Sequence, residues 1–331
     1  MTLPFDANCA PMAPFDLPYS DDAATWAALL RWTPEVLTWP APPQEEPWYL
    51  AAAGFPGLVA GTRIDQLAFE AAIEGHQLAF LRYDIERVAV PAVARLTERL
   101  PWRIGDRPSV QAVVVGLYGP LSLGLTLVDA DERPLFENAL MHEVITQHLT
   151  LRMSWLESQL ATSLICLIEP FWAAISSPFI AQGADDVLQL VLEAAAPLNT
   201  PVGLAPSGVV DWLPILRSAL RLIVCEPGQW PALLACGTCV NEYFERGGVV
   251  AWALVPSDPA RLGRLSATDL VAEWDALLKQ AIDQDVLNSL ILSGSLLTVQ
   301  PGLHQQGAAA ADQALEILSE TSRLIRTRYK L

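Results

Sequence analysis

The sequence predicts an α/β fold, a (β/α)8 TIM barrel with a Pro/Trp-rich N-terminal extension. Three observations predict it. From about residue 110, short apolar runs alternate with longer segments of helical periodicity. That alternation implies parallel strands joined by right-handed crossovers. The runs end in turn signals, among them Gly119-Pro120, Glu169-Pro170, Glu226-Pro227-Gly228 and Pro256. The chain of 331 residues is 52% hydrophobic and 17% charged, enough apolar residue for one large core and too much for wholesale disorder. An open doubly wound sheet is the competitor, but no Gly-rich phosphate loop opens a helix here. Residues 1–331 are therefore read as one domain, with 1–60 as a wrapping segment.

The elements follow in order. Prolines crowd the first 60 residues, as in Trp32-Thr33-Pro34, Trp39-Pro40 and Pro42-Pro43. Proline fixes φ and removes a donor, so this stretch reads as extended coil around one helix near Asp21–Arg31. Asp21 or Ser20 would cap that helix, and Trp26, Leu29 and Leu30 would face inward. Val110–Leu117 is a β-branched run suited to a strand buried on both faces. A long helix is predicted over Leu135–Leu160, with Phe136, Leu140, Val144, Leu149, Met153, Leu156 and Leu160 on its apolar stripe. Ser163–Ile168, Thr200–Leu204, Arg221–Cys225 and Val249–Val255 read as strands, and Ser289–Val299 contains the last. Helices are predicted over Asp185–Ala195, Asp211–Leu220, Trp230–Arg246, Ala267–Gln284 and Ala308–Tyr329. Eight strands need two more, expected near Phe5–Met12 and within 57–90.

Charge narrows the partners. The net charge is −17, and Lys and Arg form no long cluster. Phosphate backbones and anionic bilayers repel such a surface, so neither nucleic acid nor a membrane is expected. The tract Ala112–Val128 is interrupted by Gly116, Gly119, Pro120 and Gly124, which argues against a membrane span. The N-terminus lacks the basic region of a secretory signal, and five cysteines are an odd number for a disulfide framework, so a cytoplasmic location is expected.

In a barrel the loops after the strands build the site. Glu169 and Glu226 each end a strand in a Glu-Pro pair and are the candidate catalytic residues. Their plain alternative is a structural one, accepting backbone N–H bonds or pairing with arginine. Gly119, Pro120, Ser207, Trp252, Pro256, Gly302 and His304 are the candidate ligand-binding residues by position. Trp39, Trp48, Trp172, Trp212 and Trp252 are placed in or near mouth loops, where indoles could line an apolar pocket. Cys236-Gly-Thr-Cys239 falls inside a predicted helix, away from strand ends, and reads as buried thiols. His142 and His148 lie six apart on one helix, on different faces, and read as surface or supporting residues. No GxSxG and no Walker loop occurs, and no cofactor or metal is expected.

Several collinear segments carry a resemblance. Met12-Ala-Pro-Phe-Asp16, with Pro34-Glu35 and Trp39-Pro40, Tyr118-Gly-Pro-Leu-Ser-Leu-Gly-Leu-Thr126, and Leu167-Ile-Glu-Pro-Phe171 come first. Gly247-Gly-Val-Val-Ala-Trp252, Leu297-Thr-Val-Gln-Pro-Gly302 and Ile325-Arg326 follow in order. Together they resemble the cobalamin-independent methionine synthases, most closely the short single-barrel branch grouped with uroporphyrinogen decarboxylase-like barrels. The resemblance implies methyl transfer from a folate to a thiol activated by zinc, held by a His-x-Cys pair, a Glu and a distant Cys. It puts the His-x-Cys pair within Val202–Gly208, where the chain has neither residue, and the distant Cys on Pro301. The aspartate that holds the substrate amine in that family falls on Ile168, and only the acidic position at Glu226 is kept. One carboxylate does not make a zinc site. The expectation is a zinc-free relative, inactive as a homocysteine methyltransferase, that binds a small apolar or aromatic ligand at the barrel mouth, a pterin- or tetrapyrrole-like one for example. The competing expectation is altered chemistry, either corrinoid-linked methyl transfer or decarboxylation, using Glu169 and Glu226. A corrinoid protein and a second copy of the chain are the macromolecular partners this leaves open.

Overall fold

The computed structural model describes residues 3, 5–19, 21–39, 47–74, 109–159, 163–177 and 180–331. The strands are β1 Ala10–Pro11, β2 Val36–Trp39, β3 Leu58–Ala60, β4 Arg63–Ile64, β5 Ala112–Tyr118, β6 Leu164–Glu169, β7 Val202–Pro206, β8 Leu222–Cys225, β9 Val249–Val255 and β10 Ser295–Val299. β3 and β4 form a small antiparallel hairpin. The other eight are parallel, in the order β1-β10-β9-β8-β7-β6-β5-β2. A parallel bridge between Met12 and Val36 joins the two ends of the sheet. The result is a nearly closed (β/α)8 barrel.

Two cores follow from the alternation of side chains along each strand. Met12, Val36, Val114, Leu164, Cys166, Leu222, Ala251 and Leu296 pack together inside the barrel. Their neighbours in sequence, such as Leu37, Val115, Leu167, Ile223, Cys225 and Trp252, join the larger core beneath the helices. Register fixes the same phase across the sheet: Cys166 pairs with Gly203, Gly203 with Leu222, and Val224 with Ala251.

The first helix spans Asp22–Trp32, capped by Asp21, whose carboxylate accepts from the Ala24 N–H at 2.8 Å. Trp26 and Leu29 are buried, as expected. The second barrel strand departs from the sequence expectation. It is Val36–Trp39, not a segment within 57–90; the described part of that window holds the hairpin and a helix, Gln66–Glu74. Residues 75–90 lie outside the described residues. Pro34 and Pro40 bracket only five residues in the sequence, so the proline signal for coil hid a strand that needs only four.

Three helix expectations change. A short helix, Pro120–Thr126, starts directly at the end of β5, where only a turn is expected. The long helix begins at Ala139 and runs to Gln159, after a separate turn at Leu135–Glu137. That shift leaves Leu140 81% exposed, off the apolar stripe. The helix expected over Trp230–Arg246 is two, Trp230–Leu234 and Thr238–Glu245, and Cys236 falls in the break. The closing helix, Ala308–Tyr329, ends at the N-terminal face of the barrel, where Arg326 pairs with Glu35 at 2.5 Å, just ahead of β2. Among the described residues, no helix is long and apolar enough to cross a membrane.

Candidate functional site

At the C-terminal ends of the strands, a cavity of about 490 Å³ opens. Its floor is the upper interior of the barrel: Met12, Tyr118, Ile168, Ala205, Val224 and Thr298. Each follows the inward phase of its strand, so strand register places them there. The walls come from the segment after β1, with Pro14, Phe15, Asp16, Leu17, Pro18 and Tyr19, and from loops bearing Pro170, Ser207, Pro301 and His304. Proline-rich walls give a stiff rim with few backbone donors.

Two polar pairs stand in this lining. Ser207 donates its hydroxyl to Glu226 Oε1 at 2.9 Å. Gln229 fixes the Glu226 backbone by accepting its N–H at 2.8 Å, and its own amide donates to the Pro206 and Gly208 carbonyls. Across the β10 loop, Asp16 Oδ2 accepts from the Gly302 N–H at 2.7 Å and from His304 Nδ1 at 2.9 Å. Gly302 can present that N–H because its φ is +100°, a backbone shape that side chains disfavour. An imidazole whose Nδ1–H is held by a carboxylate keeps Nε2 as its acceptor. A third polar group is on the floor. Thr298 is 2% exposed, and its buried hydroxyl has no hydrogen-bond partner among the described residues. Among the described residues, no Lys or Arg lines the cavity.

The expected residues separate into two groups. Ser207, Glu226, Gly302 and His304 meet at the cavity. Glu169 does not join them. It is fully buried, and its carboxylate accepts from the Leu121 and Ser122 N–H groups at 3.1 and 2.8 Å. Burial pushes its pKa up to about 7, against the lowering effect of those bonds. The two Glu-Pro pairs differ in phase by one residue. Glu226 follows inward-facing Val224, whereas Glu169 follows Leu167, which faces the helices. Acid–base work shared by Glu169 and Glu226 at one pocket is therefore corrected to one carboxylate at the cavity and one behind its wall.

Gly119 and Pro120 stand with Glu169 behind the wall. A Cβ on Gly119 would come within 2.2 Å of Glu169 Oε1, so only glycine leaves room for the buried carboxylate. Trp252 points to the helix layer, not the mouth. It is fully buried, donates to Ser295 Oγ at 2.7 Å, and lies edge-to-face with Trp230 and Trp274. Pro256 is buried and outside the lining, and Trp39, Trp172 and Trp212 are buried core residues. The mouth aromatics are instead Phe15, Tyr19 and Tyr118. Sequence reasoning gave no role to Asp16. An acidic residue between Pro14 and Pro18, directly after the first strand, was the available signal for Asp16.

Of the two helix histidines, only His148 departs from a surface position. His148 is buried, with Nε2 2.8 Å from the Ala51 carbonyl, and desolvation together with Arg152 lowers its pKa to about 3. His142 meets the Phe136 carbonyl at 2.8 Å. Neither lines the cavity.

The zinc that the resemblance implies would need donors at the strand ends that this chain lacks. Gly203 and Ala205 occupy the inward positions of β7 and offer no ligand atom, and Pro301 offers none at the mouth. Cys225 faces the helix core, and burial holds its thiol well above the ordinary range. Among the described residues, no three His, Cys, Asp or Glu side chains come together as a metal site would require. The residues present do not fit that ion.

No protein-family model matches the chain, and no curated protein matches it. Solved structures do. A B12-independent methionine synthase from Shewanella sp. W3-18-1, in complex with selenomethionine, is 13% identical over 66% of this chain and 64% of its own, with a TM-score of 0.47. A methyltransferase from Methanosarcina mazei is 15% identical over 74% of this chain and 65% of its own, also at 0.47. A GH30 endoxylanase from Clostridium papyrosolvens C71 scores 0.48 at 9% identity, over 97% of this chain and 73% of its own. The first two matches span less than two thirds of those proteins. Likeness at this level, shared by a methyltransferase and a xylanase, decides nothing about chemistry.

Proposed function

We propose that this barrel binds a small organic cation at its mouth, an amine or methylated onium on a compact apolar body. In this reading it is a methionine synthase-like barrel that has lost the zinc site and does not methylate homocysteine. The observation that carries the proposal is the charge of the lining: Asp16 and Glu226 are present, and among the described residues no Lys or Arg is. In a protein of net charge −17, that leaves a negative field focused in a low-dielectric recess. Phe15, Tyr19 and Tyr118 add aromatic surface on which a cation can rest. Thr298 supplies a buried hydroxyl that a ligand atom would satisfy. The carboxylates of a folate or a porphyrin would meet like charges here, so the reading departs from pterin and tetrapyrrole ligands.

Calorimetric titration with benzyltrimethylammonium, benzylamine, benzyl alcohol and benzoate tests it. The cations should bind tightest and benzoate not at all. Glu226→Gln should weaken the cations roughly tenfold or more, the loss expected of one charge-assisted contact. Benzoate binding as well as the cations, or no binding by any of the four, overturns the proposal.

The Asp16–His304 pair favours a second reading, in which the bound molecule also reacts. His304 Nε2 would take or give a proton while Asp16 holds the ring. Turnover found in a substrate screen and lost in His304→Gln, with cation affinity kept, is the result that selects it.

A further inference from the structure

A second recess lies at the opposite end of the barrel, between the C-terminal turns of the helices Asp22–Trp32 and Ala308–Tyr329. Its volume is about 490 Å³, and Arg31, Arg323, Arg326 and Lys330 all line it. Among the described residues, Glu35 is the one carboxylate side chain in that lining. The chain has only 20 Lys and Arg against 37 Asp and Glu, so four cations meeting in one recess is a local reversal of its charge.

Ordinary helix capping accounts for part of this. Cations favour helix C-termini, and each terminus carries about half a negative charge. Two termini and Glu35 together balance about two of the four cations. Of the remaining two, the carboxyl end at Leu331, which also lines the recess, offsets at most one, and among the described residues the other has no structural partner. Arg326 holds Glu35 at 2.5 Å, so the surplus falls on the other three. Arg31 lies over the Trp32 ring, 4.2 Å from its centroid, with no ion pair among the described residues. Arg323 reaches Glu320 only at 3.8 Å, and both side chains are more than half exposed. Lys330 has no ion pair among the described residues. Such an excess is stable in water but becomes favourable when a multiply charged anion enters.

We infer that this recess is an anion site, separate from the mouth, that takes a phosphate-bearing small molecule. A guanidinium fork matches phosphate oxygens with paired bonds, and Lys330 supplies a point charge beside it. The volume exceeds a lone phosphate, and the Trp32 ring offers a flat apolar wall for the rest of the ligand. The mouth cavity, with its carboxylates, would reject the same molecule.

Inorganic pyrophosphate is the probe. Thermal unfolding of the full chain is followed with pyrophosphate, phosphate and sodium chloride at matched ionic strength. Pyrophosphate should raise the midpoint in a saturable way, phosphate should do so more weakly, and chloride should not. Arg323→Gln with Lys330→Gln should weaken pyrophosphate roughly tenfold, as losing a charge-assisted contact does. Arg31→Gln alone, on the other helix, should weaken it as well, which keeps the test intact if the double variant folds poorly. Glu226→Gln should leave pyrophosphate binding unchanged, which separates this site from the mouth. Stabilisation equal to that of chloride, or equal in wild type and both variants, overturns the inference.

Discussion

Replacing Glu169 by glutamine should change how stability depends on pH. Two buried groups titrate in opposite senses in the native protein. The Glu169 pKa is raised from 4.5 to about 7 by desolvation. A group raised in the folded state favours folding below its unfolded value and loses that contribution as pH rises through the folded value. Glu169 therefore destabilises the fold progressively from about pH 4.5 to about pH 7, by about 3 kcal/mol when that interval is complete. His148 does the reverse. Its pKa is lowered from 6.5 to about 3, so the unfolded chain takes its proton first and stability falls as pH drops below about 6.5. From about pH 5 to about pH 7.5, Glu169 removes about 2 kcal/mol and His148 restores about 2 kcal/mol. The two nearly cancel.

Glu169→Gln removes only the first. Its baseline should fall by about 1–3 kcal/mol, because an amide turns a donor toward one of the two backbone N–H groups that the carboxylate now satisfies. The slope carries the information. Urea unfolding at about pH 5 and about pH 7.5 should show the variant gaining about 2 kcal/mol relative to wild type as pH rises. Parallel curves for the two proteins would show that Glu169 is ionised throughout this range and would refute the reasoning.

Other outcomes follow from the same contacts. Thr298→Val should leave the empty protein as stable or up to about 1–2 kcal/mol more so, because it deletes an unsatisfied buried hydroxyl, while calorimetry shows weaker cation binding. Gly119→Ala should cost about 2 kcal/mol or more in urea unfolding, since the new Cβ meets the Glu169 carboxylate, and the cost should shrink in a Glu169→Ala background. Leu140→Lys should change stability by no more than about 0.5 kcal/mol, as expected of an exposed position. His304→Gln should likewise cost at most about 1 kcal/mol, because its pair with Asp16 is half open to solvent.

For β5 to β10, strand existence was legible in the sequence and strand phase was not; β2, between prolines, was not legible at all. The apolar runs that became β5 to β10 are recognisable because parallel strands are buried on both faces. That same burial erases the alternation that would say which residues face inward. Leu167 and Ile168 are both apolar, and so are Cys225 and Val224, yet in each pair one faces the interior and one the helices. Glu169 and Glu226 therefore look equivalent as Glu-Pro pairs and are not. Trp252 was misplaced for the same reason, since Ala251 beside it takes the inward position. The mouth itself was only half legible. Ser207, Glu226, Gly302 and His304 follow strand ends and could be found by position. Asp16 sits on a segment without periodicity and acquires meaning only when closure of the barrel brings β1 beside β10.

That closure explains why the mouth is a cavity and not a filled core. Phe15 packs over Gly116, so the strand end at β5 gives up its side chain to one supplied by the segment after β1. Around the rest of the ring, Ala205 and Val224 are too small to reach the axis, and Thr298 offers a hydroxyl instead of a branched hydrocarbon. Filling the space with Ala205→Leu should then be cheap in stability, because the cavity can accept the added atoms without displacing a packed neighbour. The same substitution should abolish cation binding at the mouth and leave pyrophosphate binding at the other end intact. If Ala205→Leu instead costs several kcal/mol, the floor is a packed layer and the cavity is not the ligand site.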